Sequence, residues 1–282
     1  MKRLLLTGSG GLIGRHIRDP AYELVRADVD LLEPGAAADL VARARPTHLL
    51  HLAWETEPGV FFASPQNVRW LESSLALLRA FAAAGGKRAV IAGSCAEYDW
   101  STAPSRCSER STPLAPATLY GACKHALHMA GGAFCVEAGV SFAWGRVFFL
   151  HGPGEDERRL VPSLARKLLA RQPAPMTHGR QVRDFMHSSD VAAAFLALLG
   201  SEVEGPVNIA SGEPRTLAEL GTLIARCAGA PADLLRLGEL QERTGEPAAL
   251  VADVACLREQ VGWRPRLSFE QGVADSVEGW RG

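Results

Sequence analysis

The chain has 282 residues, 47% hydrophobic and 22% charged, with a formal net charge of −1. That is ordinary globular composition with ample core, in one large domain or two small ones. The near-zero charge gives no footprint for nucleic acid or an anionic membrane, so neither is expected as a partner. In chain order, "RLLLTG" reads as a short buried strand ending in a turn and "YELVRAD" as a second strand. "DLVARARP" is a helix stopped near Pro46, "THLLHLAW" a third strand, and "NVRWLESSLALLRAFAAAGG" a helix closed by a glycine pair. "KRAVIAGS" is a fourth strand, "TLYGACKHALHMAGGAFCVEAG" a helix interrupted at Gly131 and Gly132, and "VSFAWGRVFFL" a fifth strand. Strands alternating with helices predict an α/β fold built on a parallel sheet covered on both faces.

After about Leu150 the rhythm changes. "HGPGEDERRLVP" is loop and "SLARKLLARQ" helix, and "QVRDFMHSSDVAAAFLALL" is an extended segment running into a helix. "GPVNIASG" is a strand, "TLAELGTLIARCAG" a helix and "ADVACLREQVGW" a further helix with a turn. The expected organisation is a dinucleotide-binding domain over 1–150, completed by 186–210, with 151–282 forming mainly a substrate lobe. The Pro/Ser-rich loop over 100–116 is long enough to be functional, though a plain surface loop has the same composition.

The cysteines Cys95, Cys107, Cys123, Cys135, Cys227 and Cys256 form no Cys-x-x-Cys pair, and none joins a zinc-spaced cluster, so no metal is expected. The apolar run in "MKRLLLTGSG" is too short for a signal peptide and nothing approaches a membrane span, so the expectation is a cytoplasmic protein. A homodimer is left open.

The first strand runs into "TGSGGLIG", where Gly8, Gly11 and Gly14 stand three apart. Gly8 permits a tight turn, Gly11 lets the backbone approach a pyrophosphate, and Gly14 lets a following helix pack close, its N-terminus offering free N–H groups to the phosphates. Asp28, at the end of the second strand, is placed to bind the adenosine ribose hydroxyls, which favours NAD slightly over NADP. Arg15 and Arg26 are near enough in sequence to meet a 2′-phosphate or to be solvated surface charges. Tyr120 and Lys124 stand four apart, which puts them on one helix face. Such a pair is common by chance, and alone it is a weak signal for a tuned acid.

Together, "TGSGGLIG", "HLAW", "GSCAEY", "YGACK", "GRVFFLHGPG" and "RDFMHSSD" resemble the extended short-chain dehydrogenase/reductases, and within them the nucleotide-sugar epimerases, dehydratases and ketoreductases. The resemblance covers nearly the whole chain. It implies a Rossmann-type doubly wound sheet with a smaller C-terminal lobe for a nucleotide sugar, and NAD or NADP as cofactor. It implies that Tyr120 is the acid/base, that Lys124 lowers its pKa and holds the nicotinamide ribose, and that Ser94 hydrogen-bonds the reacting oxygen. It places cofactor contacts at Gly8, Gly11, Leu12, Ile13, Gly14, Asp28, Asp30, Leu31, Leu52, Ala53, Lys124 and Val147. Substrate contacts fall at Ser94, Cys95, Tyr120, Phe149, Val161 and Arg183, with Arg183 on the diphosphate. Arg158, in "RRLVP", is either a nucleotide contact or an exposed loop charge.

Departures from the pattern narrow the chemistry. Dehydratases of this group carry an Asp-Glu pair where this chain has Cys95 and Ala96, and alanine transfers no proton. Glu97 comes one place later, and its side chain is expected to point elsewhere. Cys95 reads as pocket lining. The epimerases usually carry an Asn where Phe149 stands. The leading expectation is an NAD(P)-dependent C4 ketoreductase of a nucleotide-linked 4-keto-6-deoxysugar. A nucleotide-sugar 4-epimerase is the alternative, and a non-catalytic dinucleotide-binding regulatory protein stands behind both.

Overall fold

The computed structural model describes residues 2–102, 106–242 and 245–281; positions 103–105 of the long loop lie outside them. Six parallel strands form the main sheet: β1 (Lys2–Thr7), β2 (Tyr22–Arg26), β3 (His48–His51), β4 (Arg88–Ser94), β5 (Ser141–Val147) and β9 (Gly205–Ile209). Their order is β2-β1-β3-β4-β5-β9. Successive side chains on a strand face opposite ways, so a sheet covered on both faces needs continuous apolar runs. "LLL" in β1 meets that demand. Leu5 joins a core with Leu49, Ile91 and three helices, α1 (Ala36–Ala44), α2 (Gln66–Ala83) and α3 (Leu119–Glu137). Leu4 and Leu6 join a second core with Val90 and α5 (Ser188–Gly200), which contributes Val191, Phe195 and Leu198. Arg88 ties β4 to α5 by donating to the carbonyls of Leu198, Leu199 and Val203, where the helix ends and a cation is favoured.

The rest is smaller. A second sheet has the order β10 (Pro214–Thr216), β8 (Val182–His187), β12 (Ala249–Leu250), and β6 (Phe149–His151) also pairs with β8. A two-stranded ribbon joins β7 (Ala174–Met176) to β11 (Leu235–Leu237). The helices α4 (Leu160–Leu169), α6 (Leu217–Cys227) and α7 (Phe269–Glu278) close a third core around Val161, Leu164, Phe185, Leu220 and Val273.

Four expectations are corrected. The glycine turn leads into a 3₁₀ turn, Gly14–His16, and not into a full helix. The long helix α3 runs unbroken through Gly131 and Gly132, because Gly131 lies against Leu78 of α2, where a Cβ would come within 2.8 Å of its Cδ1. The segment read as one fifth strand divides at Phe148: β5 stays in the main sheet and β6 crosses to the second. The helix expected near "ADVACLREQVGW" starts only after three non-helical residues and is a π-helical turn, Cys256–Gln260.

Glu155, between β6 and α4, is 7% exposed, and its Oε2 has no hydrogen-bond partner among the described residues. Burial pushes its carboxyl up to about 8, against the pull of Arg159. The folded form therefore holds a proton that the unfolded chain releases near pH 4.3. Its contribution is complete below that value and is lost as pH rises through about 8. Glu155→Gln should shrink the loss of unfolding free energy between pH 5 and pH 8 by about 1–3 kcal/mol. Denaturant titrations at both pH values check this, and an unchanged difference would mean that Glu155 is ionised in the fold.

Candidate active site

The C-terminal ends of the main-sheet strands carry the site, where open α/β sheets bind their ligands. At the first turn Gly8 has a φ of +70°, and a Cβ on it would lie 2.7 Å from the Ala53 nitrogen and 2.8 Å from the Leu52 carbonyl carbon. A Cβ on Gly14 would overlap the Gly8 carbonyl oxygen, whereas one on Gly10 meets nothing within 4 Å. The turn is thus a bare backbone cradle, closed beneath and open above, which fits a pyrophosphate. With only a 3₁₀ turn behind it, local N–H groups rather than a long helix dipole must face the phosphates. Below the cradle, Thr7 Oγ1 lies 2.6 Å from His51 Nδ1, and His51 Nε2 lies 2.9 Å from Ser74 Oγ. Burial draws the His51 ring down to about 3, so it bridges β1, β3 and α2 as a neutral group.

The other expected cofactor residues are arranged around this cradle. Leu12 and Ile13 are half-buried in the turn, and Asp30 is exposed, its Oδ1 accepting the Leu32 N–H. The Leu31 side chain is core. Val147 ends β5 directly beside Ser94 at the end of β4. Asp28 is exposed and paired at 3.0 Å with Arg43 of α1, a cation that sequence reading had not singled out. Arg15 is turned away from Asp28; its guanidinium donates to the carbonyls of Pro153 and Gly154.

The strand β4 ends in a 3₁₀ turn, Cys95–Glu97, capped by Ser94, and α3 begins at Thr118, whose Oγ1 accepts the Gly121 N–H. A Cβ on Gly121 would overlap the Ala96 carbonyl oxygen, so that glycine lets the first turn of α3 press onto the β4 turn. The contact brings the Tyr120 phenol up to the Ser94 hydroxyl. Burial pushes the Tyr120 phenol above its ordinary value, and Ser94 and the Arg159 charge oppose that rise. Lys124 Nζ donates to the Ala92 carbonyl at 2.8 Å and lies 3.8 Å from the centre of the Trp54 ring, while the Tyr120 ring centre is 5.9 Å away. Burial draws its ammonium down to about 7. Tyr120 and Lys124 share one face of α3, but the ammonium is turned towards Trp54.

A cap over Tyr120 went unforeseen. The Tyr120 N–H donates to the Phe62 carbonyl at 3.1 Å, and the Phe61 ring stands edge-on to the phenol at 4.9 Å. Asn67 holds the segment by donating to the carbonyls of Phe61 and Ser64 and accepting from Trp54 Nε1. From the smaller lobe, Arg159 donates to the Thr56 carbonyl and Arg158 to Glu57 Oε1 at 3.0 Å. The sequence signal was present in the Phe pair of "EPGVFFASP", though aromatic residues after a strand read equally well as core.

Among the substrate candidates, Cys95 is buried and its thiol is pushed up to about 12 by burial, so it stays protonated at neutral pH. Arg183 is 4% exposed. Its guanidinium lies 5.3 Å from the Phe149 ring, donates to the Pro247 carbonyl at 2.9 Å and pairs with Glu246 at 3.5 Å. Val161 lies in the first turn of α4 within the third core, against which Phe149 packs. Glu97, His125 and His128 bring potential ligand atoms within 4.8 Å of one another, but the Arg146 guanidinium bonds Glu97 and stands 3.4 Å from His128 Nδ1, where it repels a cation.

Comparison with known proteins agrees with this geometry. Residues 4–210 match the sequence profile of the NAD dependent epimerase/dehydratase family. GDP-6-deoxy-D-mannose reductase of Pseudomonas aeruginosa is 25% identical, over 99% of this chain and 97% of the relative. UDP-glucose 4-epimerase of Thermotoga maritima superposes with a TM-score of 0.87 at 21% identity, covering 99% of each chain. MoeE5 in complex with UDP-glucose and NAD superposes at 0.83 with 25% identity, covering 99% of this chain and 98% of the other. Solved relatives carry NAD or NADPH, and either fits the cradle. Among the described residues no helix is long and apolar enough to cross a membrane. The chain belongs to the NAD dependent epimerase/dehydratase family, and it is an NAD(P)-dependent enzyme of the group that works on nucleotide-linked sugars.

Proposed function

We propose that the protein is a nucleotide-sugar 4-epimerase. The observation that carries this reading is a Ser94–Tyr120–Lys124 set without the dehydratase carboxyl pair: Cys95 and Ala96 stand where the dehydratases of the family carry it. Without that pair, 4,6-dehydration is set aside, and oxidation and reduction at one sugar carbon is the simplest chemistry for the set that remains. The preference moves from ketoreductase to epimerase because 4-epimerases share this fold over nearly their whole length, although Phe149 still replaces the usual Asn. The C4 ketoreductase stays as a second reading because the reductase of Pseudomonas aeruginosa aligns end to end with this chain.

The residues divide the work as follows. Tyr120 takes the proton from the sugar O4 as C4 is oxidised and returns it when C4 is reduced from the other face. Ser94 donates to the same oxygen, and Lys124 as an ammonium favours the phenolate that accepts the proton. A nicotinamide cofactor would supply the reversible hydride acceptor, and the glycine cradle and the exposed edge at Asp28 would hold it. The cap over Tyr120 keeps water from the reacting atoms. Arg183 is the candidate partner of the substrate diphosphate, which would displace Glu246 from it; bidentate pairing suits a guanidinium.

Four outcomes test this reading. Purified protein should interconvert UDP-glucose and UDP-galactose without net consumption of added NAD(P)H, followed by proton NMR, and Tyr120→Phe should lower turnover by about two to four orders of magnitude with cofactor binding intact. Stoichiometric NAD(P)H oxidation with a 4-keto-6-deoxysugar nucleotide, and no epimer, would select the ketoreductase. Asp28→Ala frees Arg43, so it should weaken NAD and strengthen NADP in fluorescence titrations; an unaltered ratio would move the ribose away from Asp28. Arg183→Lys keeps the charge but loses the fork, so KM for the nucleotide sugar should rise by about tenfold or more while NAD(P) affinity holds. An unchanged KM at equal Tm would place the clamp elsewhere.

A further inference from the structure

The turn that presents Ser94 is built around a carboxylate to which the proposed chemistry gives no task. Glu97 has no exposed surface. Its Oε1 accepts the Ser94 backbone N–H at 2.8 Å and the Trp144 Nε1–H at 2.8 Å. Its Oε2 accepts Arg146 Nε at 3.1 Å, and the Arg146 side chain is equally buried. Arg146 Nη1 continues to the Tyr98 hydroxyl at 3.3 Å, which donates to Asn208 Oδ1 at 2.7 Å. A Cβ on Gly93 would overlap Trp144 Nε1, so that glycine makes room for the indole to reach the carboxylate. Ser94 in turn accepts the Ala96 N–H, so Ser94 and Glu97 cap the turn reciprocally.

Lys124 is 3% exposed, and its Nζ donates to the carbonyl of Ala92, two residues before Ser94 on the same strand. Burial draws its ammonium down to about 7, and the charge acting against that loss is Glu97. We propose that Glu97 is a positioning residue for proton transfer, fixing the Ser94 backbone and serving as the counter-charge that keeps Lys124 an ammonium. This rests on reading Ser94, Tyr120 and Lys124 as the reacting set. Several groups face this centre: Cys95 from the turn, Tyr120 and His128 from α3, Arg146 from β5 and His51 from β3. Burial holds His51 down to about 3 and His128 down to about 4, so both are neutral. Burial also pushes the Cys95 thiol up to about 12 and the Tyr120 phenol higher, so they stay protonated in the resting protein. Arg146 is spent on Glu97 and Tyr98. Among these groups Glu97 is the charge that acts on Lys124 against burial.

The test uses three full-length variants with bound cofactor. Glu97→Gln removes the charge with little change of shape; kcat should fall about tenfold or more, and the alkaline limb of the pH–rate profile should move about one unit towards acid. The sign follows from the lysine, which loses its proton at lower pH once the counter-charge is gone. Glu97→Asp keeps the charge but shortens the reach, so kcat should fall without movement of the limb. Glu97→Gln leaves Arg146 without its anion; if that variant does not fold, the double variant Glu97→Gln/Arg146→Met carries the test, because removing both members of a buried pair is often tolerated. Wild-type kcat and pH profile in a folded double variant would overturn the proposal. A substrate-free readout separates it from the function: the Lys124 ζ-¹⁵N titration, assigned against Lys2, Lys87 and Lys167 by substitution. A midpoint displaced in Glu97→Gln or the double variant, in a protein that turns over no nucleotide sugar, sinks the function and keeps the counter-charge. An undisplaced midpoint in an active enzyme sinks the counter-charge alone.

Discussion

Glu97 and Arg146 face each other with no exposed surface, and two charges taken out of water cost several kcal/mol each unless their lone pairs and protons find partners. The chain meets that demand with groups from three strands: Ser94 at the end of β4, Trp144 beside Arg146 on β5, and Asn208 of β9 through Tyr98. The order β4-β5-β9 in the sheet is what brings them side by side. A slip of one residue between β4 and β5 would turn Trp144 and Arg146 to the opposite face and leave the carboxylate orphaned. Such a network fixes register here as strictly as apolar packing does, and it fixes it beside Ser94.

The cofactor end of the sheet is lighter. With a 3₁₀ turn in place of the first helix, the second face of the sheet is covered largely by α5 and by segments from the C-terminal half such as Leu250, Val254 and Leu257. The C-terminal half thus helps complete the core beneath the cofactor cradle. Arg15, donating to Pro153 and Gly154, ties the glycine turn to the loop before α4.

Parts of this were legible from residues alone. The glycine spacing, Asp28 and the Tyr120–Lys124 pair depend on local backbone geometry or on ordered motifs, and both can be read along the chain. The missing first helix was legible in principle: residues 15–21 are too few for a helix and a return to the sheet, yet the motif drew attention to its glycines and away from what followed. The break at Phe148 was hidden because β5 and β6 form one continuous apolar run. Gly131 looked like an interruption because, without Leu78 of α2, a glycine in a helix has only its propensity to show. The burial of Glu97 was out of reach, since Trp144 and Arg146 lie on a strand distant in sequence, and so was Arg43 beside Asp28.

The cap over Tyr120 has a different anchorage on each side. Inward it hangs from Asn67, which is wholly buried. Outward it is latched by Arg158 to Glu57, both about half exposed, and by Arg159 to a backbone carbonyl. Exposed pairs of that kind are worth about 0–1 kcal/mol and weaken as salt rises. The cover over Tyr120 therefore has a rigid hinge and a feeble catch. Escape of product would be quick and sensitive to ionic strength, and any sugar intermediate that must turn over within the pocket would race against the opening of its own enclosure.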